Sequence, residues 1–283
     1  MVDKMIFANK EFDIKNNTYV MGILNVTPDS FSDGSKFNTL DKALFHAKEM
    51  IEQGAAIIDV GGESTRQGYT MISDEEEIER VCPVIERISK EFDTVISIDT
   101  YKSRVADAAL KSGAHILNDI HGLKYDKNIA GVAAKYNAGI CIMHNADDMS
   151  YRGNSLDEYI DNVKKHLSQS LEIAKAAGVD MSKVMIDPGV GFAKDLEMNL
   201  MITNNVDSLL ALDYPVLLAT SRKSMIGLTL DLPSDEREEG TLVTTVMGVM
   251  KGVSFVRVHD VEKNVRAIRM TRAILNSGRY QER

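Results

Sequence analysis

The run Val95-Ile96-Ser97-Ile98-Asp99-Thr100 decides the fold. It is rich in β-branched residues, apolar apart from Ser97 as far as Ile98, and closes on the carboxylate of Asp99 and on Thr100. A strand that is apolar on both faces is one covered on both faces, as in a parallel sheet wrapped by helices. Working outward, the same form recurs at 18–26, 56–61, 115–119, 140–144, 184–187, 216–220 and 255–259. Helical patterns fill the intervals. Over 40–52, Ala43, Ala47, Met50 and Ile51 form one stripe. Over 74–90, Ser73 as N-cap and Glu76 three residues on form a capping box. Further helices are expected over 155–177, 196–212, 240–251 and 261–276, and shorter ones around Val105–Leu110 and over 129–136.

Eight strand–helix units in alternation make either a closed barrel or an open doubly wound sheet. No G-x-G-x-x-G follows the first strand, so the dinucleotide-binding form of the open sheet lacks its signature. Polar residues close almost every strand: Asn25, Glu63, Asp99, Asn118, His144, Asp187, Arg222 and His259. A barrel collects such ends on one face. The expected fold class is therefore α/β, a (β/α)8 TIM barrel forming a single domain over 18–283. Residues 1–17 precede it as an N-terminal extension. In it Ile6, Phe7, Phe12 and Ile14 flank Asn9-Lys10, a pattern for a hairpin on the barrel floor.

Composition agrees with one barrel. There are 283 residues, 44% of them hydrophobic, and the net charge is −9. A uniformly acidic chain repels nucleic acid and anionic lipid, so neither is expected as a partner. No run approaches the ~18 apolar residues of a membrane span. The first residues mix acids and bases and lack the apolar centre of a secretory leader. Cys82 and Cys141 fall in no metal or disulfide spacing. Two reduced thiols in a cytoplasmic protein are expected.

The strand ends carry the chemistry. Asp99, Asn118 and Asp187 form a set of acceptors suited to a heterocycle rich in N–H donors. The blander reading is that such Asp residues cap the following helices. Thr220-Ser221-Arg222-Lys223-Ser224 and Arg257-Val258-His259-Asp260 follow the seventh strand and end the eighth, the customary phosphate region of these barrels. Arg222, Lys223, Arg257 and His259 are expected to bind a multiply charged anion there, with helix amides helping; the blander reading makes Arg222 and Lys223 a surface pair. There is no G-x-S-x-G, no oriented Cys–His pair and no H-E-x-x-H, so neither a covalent nucleophile nor an all-protein metal centre is expected. Asn25 is a weak neutral ligand suited to Mg²⁺ held mostly by phosphate oxygens. The connections 27–39 and 62–73 are long and polar, as mobile lids are.

These residues fall in a known order. Met21-Gly22-Ile23-Leu24-Asn25-Val26-Thr27-Pro28-Asp29-Ser30-Phe31-Ser32-Asp33-Gly34 and Asp59-Val60-Gly61-Gly62-Glu63-Ser64-Thr65-Arg66 resemble the two signatures of the dihydropteroate synthases. Ser97-Ile98-Asp99-Thr100, Asn118-Asp119, Met143-His144, Asp187-Pro188-Gly189-Val190-Gly191-Phe192, Ser221-Arg222-Lys223-Ser224 and Arg257-Val258-His259-Asp260-Val261 continue the match. The resemblance implies condensation of 6-hydroxymethyl-7,8-dihydropterin pyrophosphate with p-aminobenzoate to 7,8-dihydropteroate and pyrophosphate, in folate biosynthesis. By it Asp99, Asn118, Met143, Asp187 and Lys223 hold the pterin. Asn25, Arg257 and His259 take the pyrophosphate, Asn25 partly through Mg²⁺. Thr65, Arg66, Phe192 and Ser224 form the p-aminobenzoate site. Asp99, Asp187, Lys223, Arg257 and His259 are the implied catalytic set. The family is the target of sulfonamides, and its members are usually homodimers. The face of the last two helices, with Ile268 and Ile274, either forms that interface or packs on the barrel.

Four positions depart from the family pattern. Gln67 stands where Pro is common after S-T-R, Ala193 and Asp195 flank a retained Lys194, and Ala219 replaces a common Gly. Two other readings share the fold: a pterin-binding methyltransferase domain and a degenerate pterin-binding homologue. The first has no departing pyrophosphate and no need of the S-R-K-S and R-V-H-D cations. The second has no need of an intact set.

Overall fold

The computed structural model describes residues 2–27, 36–64, 70–145, 152–153 and 155–277. A hairpin of β1 (Lys4–Phe7) and β2 (Lys10–Asp13) comes first. Then follow β3 (Tyr19–Asn25), α1 (Lys36–Glu52), β4 (Ile57–Gly61), α2 (Asp74–Glu91), β5 (Val95–Asp99), α3 (Ser103–Lys111), β6 (Ile116–Asp119), α4 (Ile129–Lys135) and β7 (Gly139–Met143). The second half holds α5 (Leu156–Ala176), β8 (Val184–Asp187), α6 (Leu196–Asn204), β9 (Leu217–Leu218), α7 (Ser224–Leu230), α8 (Glu238–Met250), β10 (Phe255–Val258) and α9 (Val261–Asn276).

Strands β3 to β10 form one parallel sheet in the order β8-β7-β6-β5-β4-β3-β10-β9. A bridge from Ile186 to Val216 joins its two ends and closes the ring. The expected barrel is what the chain forms. Each strand alternates, and both faces are apolar for different reasons. Ile58, Val60, Ile96, Ile98, Leu117, Ile140, Ile142, Val256 and Val258 pack outward under the helices. Met21, Ile57, Val95, Ile116, Cys141, Met185, Leu217 and Phe255 point inward at the N-terminal ends of the strands. Met5, Phe7, Phe12 and Ile14 of the hairpin join this inner cluster and seal that end. Gly139 is required there: a Cβ would lie 2.3 Å from the Phe7 ring.

Some elements differ from the sequence reading. The helix expected over 196–212 stops at Asn204, and Val206–Leu212 continues as a 3-10 helix. At the junction the Met201 carbonyl accepts both from the Asn205 backbone N–H at 3.1 Å and from the Asn205 side-chain amide at 2.8 Å, so the side chain caps the last turn of the helix. The seventh strand shrinks to two residues, and α7 is a short helix that the periodicity does not announce. At α2, Ser73 accepts from the Glu76 amide at 3.1 Å, but the Glu76 carboxylate pairs with Arg80, so only half of the expected capping box forms.

Candidate active site

Period-two alternation sets the interior in layers. Above the apolar floor, the inward positions one pleat repeat further along turn polar: Asp59 follows Ile57, Ser97 follows Val95, Asn118 follows Ile116, Asp187 follows Met185 and Arg257 follows Phe255. Met143 follows Cys141 at the same step, and a further repeat gives Asp99, His259 and Asn25. Register aligns Asn25 with Gly61, Gly61 with Asp99, Asp99 with Asn118, and Met143 with Asp187. The expected acceptors thus share one mouth.

An ion cluster lies at the centre. Arg257 Nε donates to Asp59 Oδ2 at 2.6 Å, and Nη2 donates to Asp99 Oδ2 at 2.5 Å. Asn118 Nδ2 donates to the same Asp59 oxygen at 3.1 Å. Asp59 is wholly buried. The other oxygens, Asp59 Oδ1 and Asp99 Oδ1, are buried with no hydrogen-bond partner among the described residues. A buried acceptor without a donor is costly, which makes these atoms receptors for N–H groups. Burial pushes the Asp99 carboxyl up to about 7, against the pull of Arg257 and with a push from Asp59. Burial also raises Asp187, opposed by Lys223 and by the Gly189 amide, which donates to its Oδ1 at 2.6 Å. Burial lowers the Lys223 ammonium to about 8, with Asp187 opposing. The two cations are balanced by three carboxylates, so the slot keeps a negative character suited to donors.

One wall is apolar. Tyr101, Ile120 and Met143 form a small cluster, and Phe192 packs on it. Lys223 Nζ sits 4.4 Å from the centre of the Phe192 ring and donates to the Val190 carbonyl. A flat heterocycle between this wall and the carboxylates would bury its faces and satisfy its edge. At the rim, the Ser221 hydroxyl lies 2.9 Å from His259 Nδ1 and accepts from the His259 amide at 3.2 Å. Ser224 opens α7 and is exposed. Thr65 and Arg66, with Gln67, lie outside the described residues.

Several expected members are employed elsewhere. Arg222 and Lys223 do not form a joint anion site. Arg222 takes a left-handed conformation, φ 56°, which turns its side chain to 3.8 Å from Glu238, while Lys223 points into the slot. His144 follows inward-facing Met143 and so points out, where its Nδ1 lies 3.0 Å from Lys194 Nζ. Burial beside that ammonium drives His144 down to about 2. Glu63 accepts from Lys102 at 2.8 Å, from the Ile72 amide at 2.8 Å and from the Tyr101 hydroxyl at 2.5 Å. Lys102 also donates to Glu77 at 2.8 Å and to the Ile72 carbonyl at 2.9 Å. Glu63 therefore closes the stem of the 62–73 connection.

Asp59, Tyr101 and Ile120 were not singled out by residue. Asp59 had a signal: a carboxylate inside Ile57-Ile58-Asp59-Val60, in phase with inward-facing Gly61. Tyr101 and Ile120 had none, since each follows a strand end by two residues or fewer and reads as ordinary core.

Comparison with known proteins follows this geometry. The pterin binding enzyme family matches residues 21–259. The dihydropteroate synthase of Clostridium beijerinckii is 54% identical over 272 residues, covering 96% of this chain and 99% of that protein. That of Bacillus subtilis is 53% identical over 264 residues, covering 93% and 91%. The crystal structure of the Clostridium difficile enzyme in the presence of pteroic acid superposes with a TM-score of 0.89 at 51% identity, covering 93% of this chain and 98% of that one. The Xanthomonas albilineans enzyme with 4-aminobenzoic acid gives a TM-score of 0.90 at 34% identity, covering 97% and 99%. With the motifs, the barrel and the acceptor-lined slot all in agreement, the chain belongs to the pterin binding enzyme family, among its dihydropteroate synthases.

Proposed function

We infer that the chain joins p-aminobenzoate to 6-hydroxymethyl-7,8-dihydropterin pyrophosphate, releasing pyrophosphate and making 7,8-dihydropteroate for folate biosynthesis. The observation that carries this reading is the pair of buried, partnerless oxygens on Asp59 and Asp99 beside the Arg257 guanidinium. Donors on a pterin edge satisfy the oxygens, and a departing diphosphate meets the cation.

In this mechanism Asp99, Asn118 and Asp187 accept from or orient the pterin edge, Met143 packs on a ring face and Lys223 closes the far side. The bond between the pterin methylene and the diphosphate oxygen breaks, and its electron pair leaves with pyrophosphate. Arg257 and His259 stabilise that charge as it develops. The methylene cation that remains is delocalised into the pterin, where Asp99 and Asp187 stabilise it. The neutral arylamine nitrogen attacks, and its proton passes to water or pyrophosphate. No strong base or covalent nucleophile is needed. Thr65, Arg66, Phe192 and Ser224 are proposed to hold p-aminobenzoate.

Mg²⁺ fits this donor set only with help from substrate. A Cβ at Gly61 would lie 3.6 Å from Asn25 Oδ1 and 3.9 Å from Asp99 Oδ2, so two hard oxygens face one space. Among the described residues there is no group of three or more His, Cys, Asp and Glu that could hold a metal. Asn25 would hold the ion, with diphosphate oxygens completing its shell, and the ion would supply further neutralisation of the leaving group.

The chain is further proposed to act in the cytoplasm as a homodimer. Val243 and Met250 on α8 and Met270, Ile274 and Leu275 on α9 are exposed apolar residues on two helices that pack together. Of the two isoleucines singled out from sequence, Ile268 packs on the barrel and Ile274 is outside. The test of the activity is release of pyrophosphate from the two substrates and Mg²⁺ by purified protein. Wild-type turnover with loss in Asp99→Asn is expected; an unimpaired Asp99→Asn would remove the electrostatic role given to that carboxylate.

A further inference from the structure

The connection after β8 is held together by a half-buried cation. Lys194 Nζ donates to the carbonyls of Gly189 at 2.9 Å and Phe192 at 3.1 Å, lies 3.0 Å from His144 Nδ1, and reaches the His144 carbonyl at 3.4 Å. The backbone between is folded tightly. Gly189, Gly191 and Ala193 have φ of 68°, 85° and 46°. A Cβ on Gly189 would fall 1.9 Å from the His144 carbonyl oxygen. Such left-handed residues rotate carbonyls out of any regular ladder, and buried carbonyls must find donors. Here one ammonium serves several. Asn199 adds a second pin, accepting from the Gly191 amide at 2.7 Å and donating to the Lys194 carbonyl at 3.1 Å.

The same turn faces Lys223. Its Val190 carbonyl accepts from Lys223 Nζ, and its Phe192 ring lies under that ammonium. A Cβ on Gly191 would lie 2.7 Å from Lys223 Cδ, so the turn and the lysine stem fit without spare room. We propose that Lys194 is a positioning residue, whose half-buried ammonium gathers the carbonyls of the Gly189–Phe192 turn and thereby sets the Phe192 ring and the Val190 carbonyl against Lys223. The inference rests on the reading that Phe192 and Lys223 meet the substrates. Lys194 Nζ bonds the backbone of the turn, and its charge interacts with that of Asp187 in the slot. Burial lowers the Lys194 ammonium to about 7, with Asp187 opposing the shift and Lys223 adding to it.

A double-mutant cycle separates positioning from general structural support. Steady-state kinetics are measured for wild type, Lys194→Met, Phe192→Leu and the double variant, with melting temperatures alongside. Lys194→Met is expected to lower kcat/KM for p-aminobenzoate by about tenfold in the wild-type background and by less than about threefold once Phe192 is Leu, because residues acting through one contact are non-additive. Equal factors in the two backgrounds would overturn the proposal, since a loss of general stability does not depend on the ring. Should Lys194→Met not fold, Lys194→Gln, which keeps a donor on a shorter stem, enters the cycle under the same criterion. A wild-type protein without turnover would refute the functional reading instead, so the two failures are distinguishable.

Discussion

Asp59→Asn tests the ion cluster most searchingly. Asp59 Oδ2 accepts from Arg257 Nε at 2.6 Å and from Asn118 Nδ2 at 3.1 Å, wholly buried. An amide of the same shape keeps one acceptor for these donors and puts its NH₂ where the partnerless Oδ1 now lies. The loss is one charge-assisted hydrogen bond, worth roughly 1.5–3 kcal/mol. Arg257 retains Asp99, so the larger cost of ~3–5 kcal/mol for stranding a buried ion does not apply. For a domain of this size the melting temperature should fall by roughly 3–5 °C. The charge change also reaches Asp99. Asp59 pushes the Asp99 carboxyl up, while Arg257 pulls it down. Removing the first and leaving the second lowers it. The acid limb of the kcat/KM profile should therefore move to lower pH. Thermal melting and pH-dependent kinetics on one preparation read both effects. An acid limb that stays in place or moves upward refutes the coupling.

Three other outcomes follow from the same geometry. In wild type, Asp99 must be ionised and Lys223 protonated, so kcat/KM should rise through pH about 7 and fall through pH about 8, a narrow bell that a flat profile from 6 to 9 would contradict. Gly189→Ala places a Cβ 1.9 Å from a backbone oxygen at φ 68°, so the turn must move; kcat/KM should fall at least ~tenfold, alongside roughly 1–3 kcal/mol of backbone strain. Phe7→Ala empties a buried site in the floor and should cost about 3–5 kcal/mol in urea unfolding while leaving both KM values unchanged, because the hairpin seals the end away from the slot.

Much of this was legible because a parallel barrel writes itself as repetition. Apolar strands ending on Asn25, Asp99, Asn118 and Asp187 announce both the fold and one face of it, and the structure brings those four together. Direction of side chains was harder to read. Arg222 and Lys223 are neighbours in sequence, yet one left-handed residue sends them to different partners. His144 looked like a site residue from its position after a strand, but parity turns it outward to Lys194. Asp59 shows the converse. Its place inside an apolar strand hid a group that period-two reading puts in the slot. The helix end at Asn205 is capped by its own side-chain amide, a feature that no hydrophobic period records.

A crystal structure with the dihydropterin pyrophosphate bound tests the central claim most directly. The pterin edge should donate to Asp99 and Asp187, with Asn118 beside it and Met143 against a ring face, and the diphosphate should lie within hydrogen-bonding reach of Arg257 and His259. A ring seated outside the carboxylates, or a diphosphate directed away from Arg257, would contradict it.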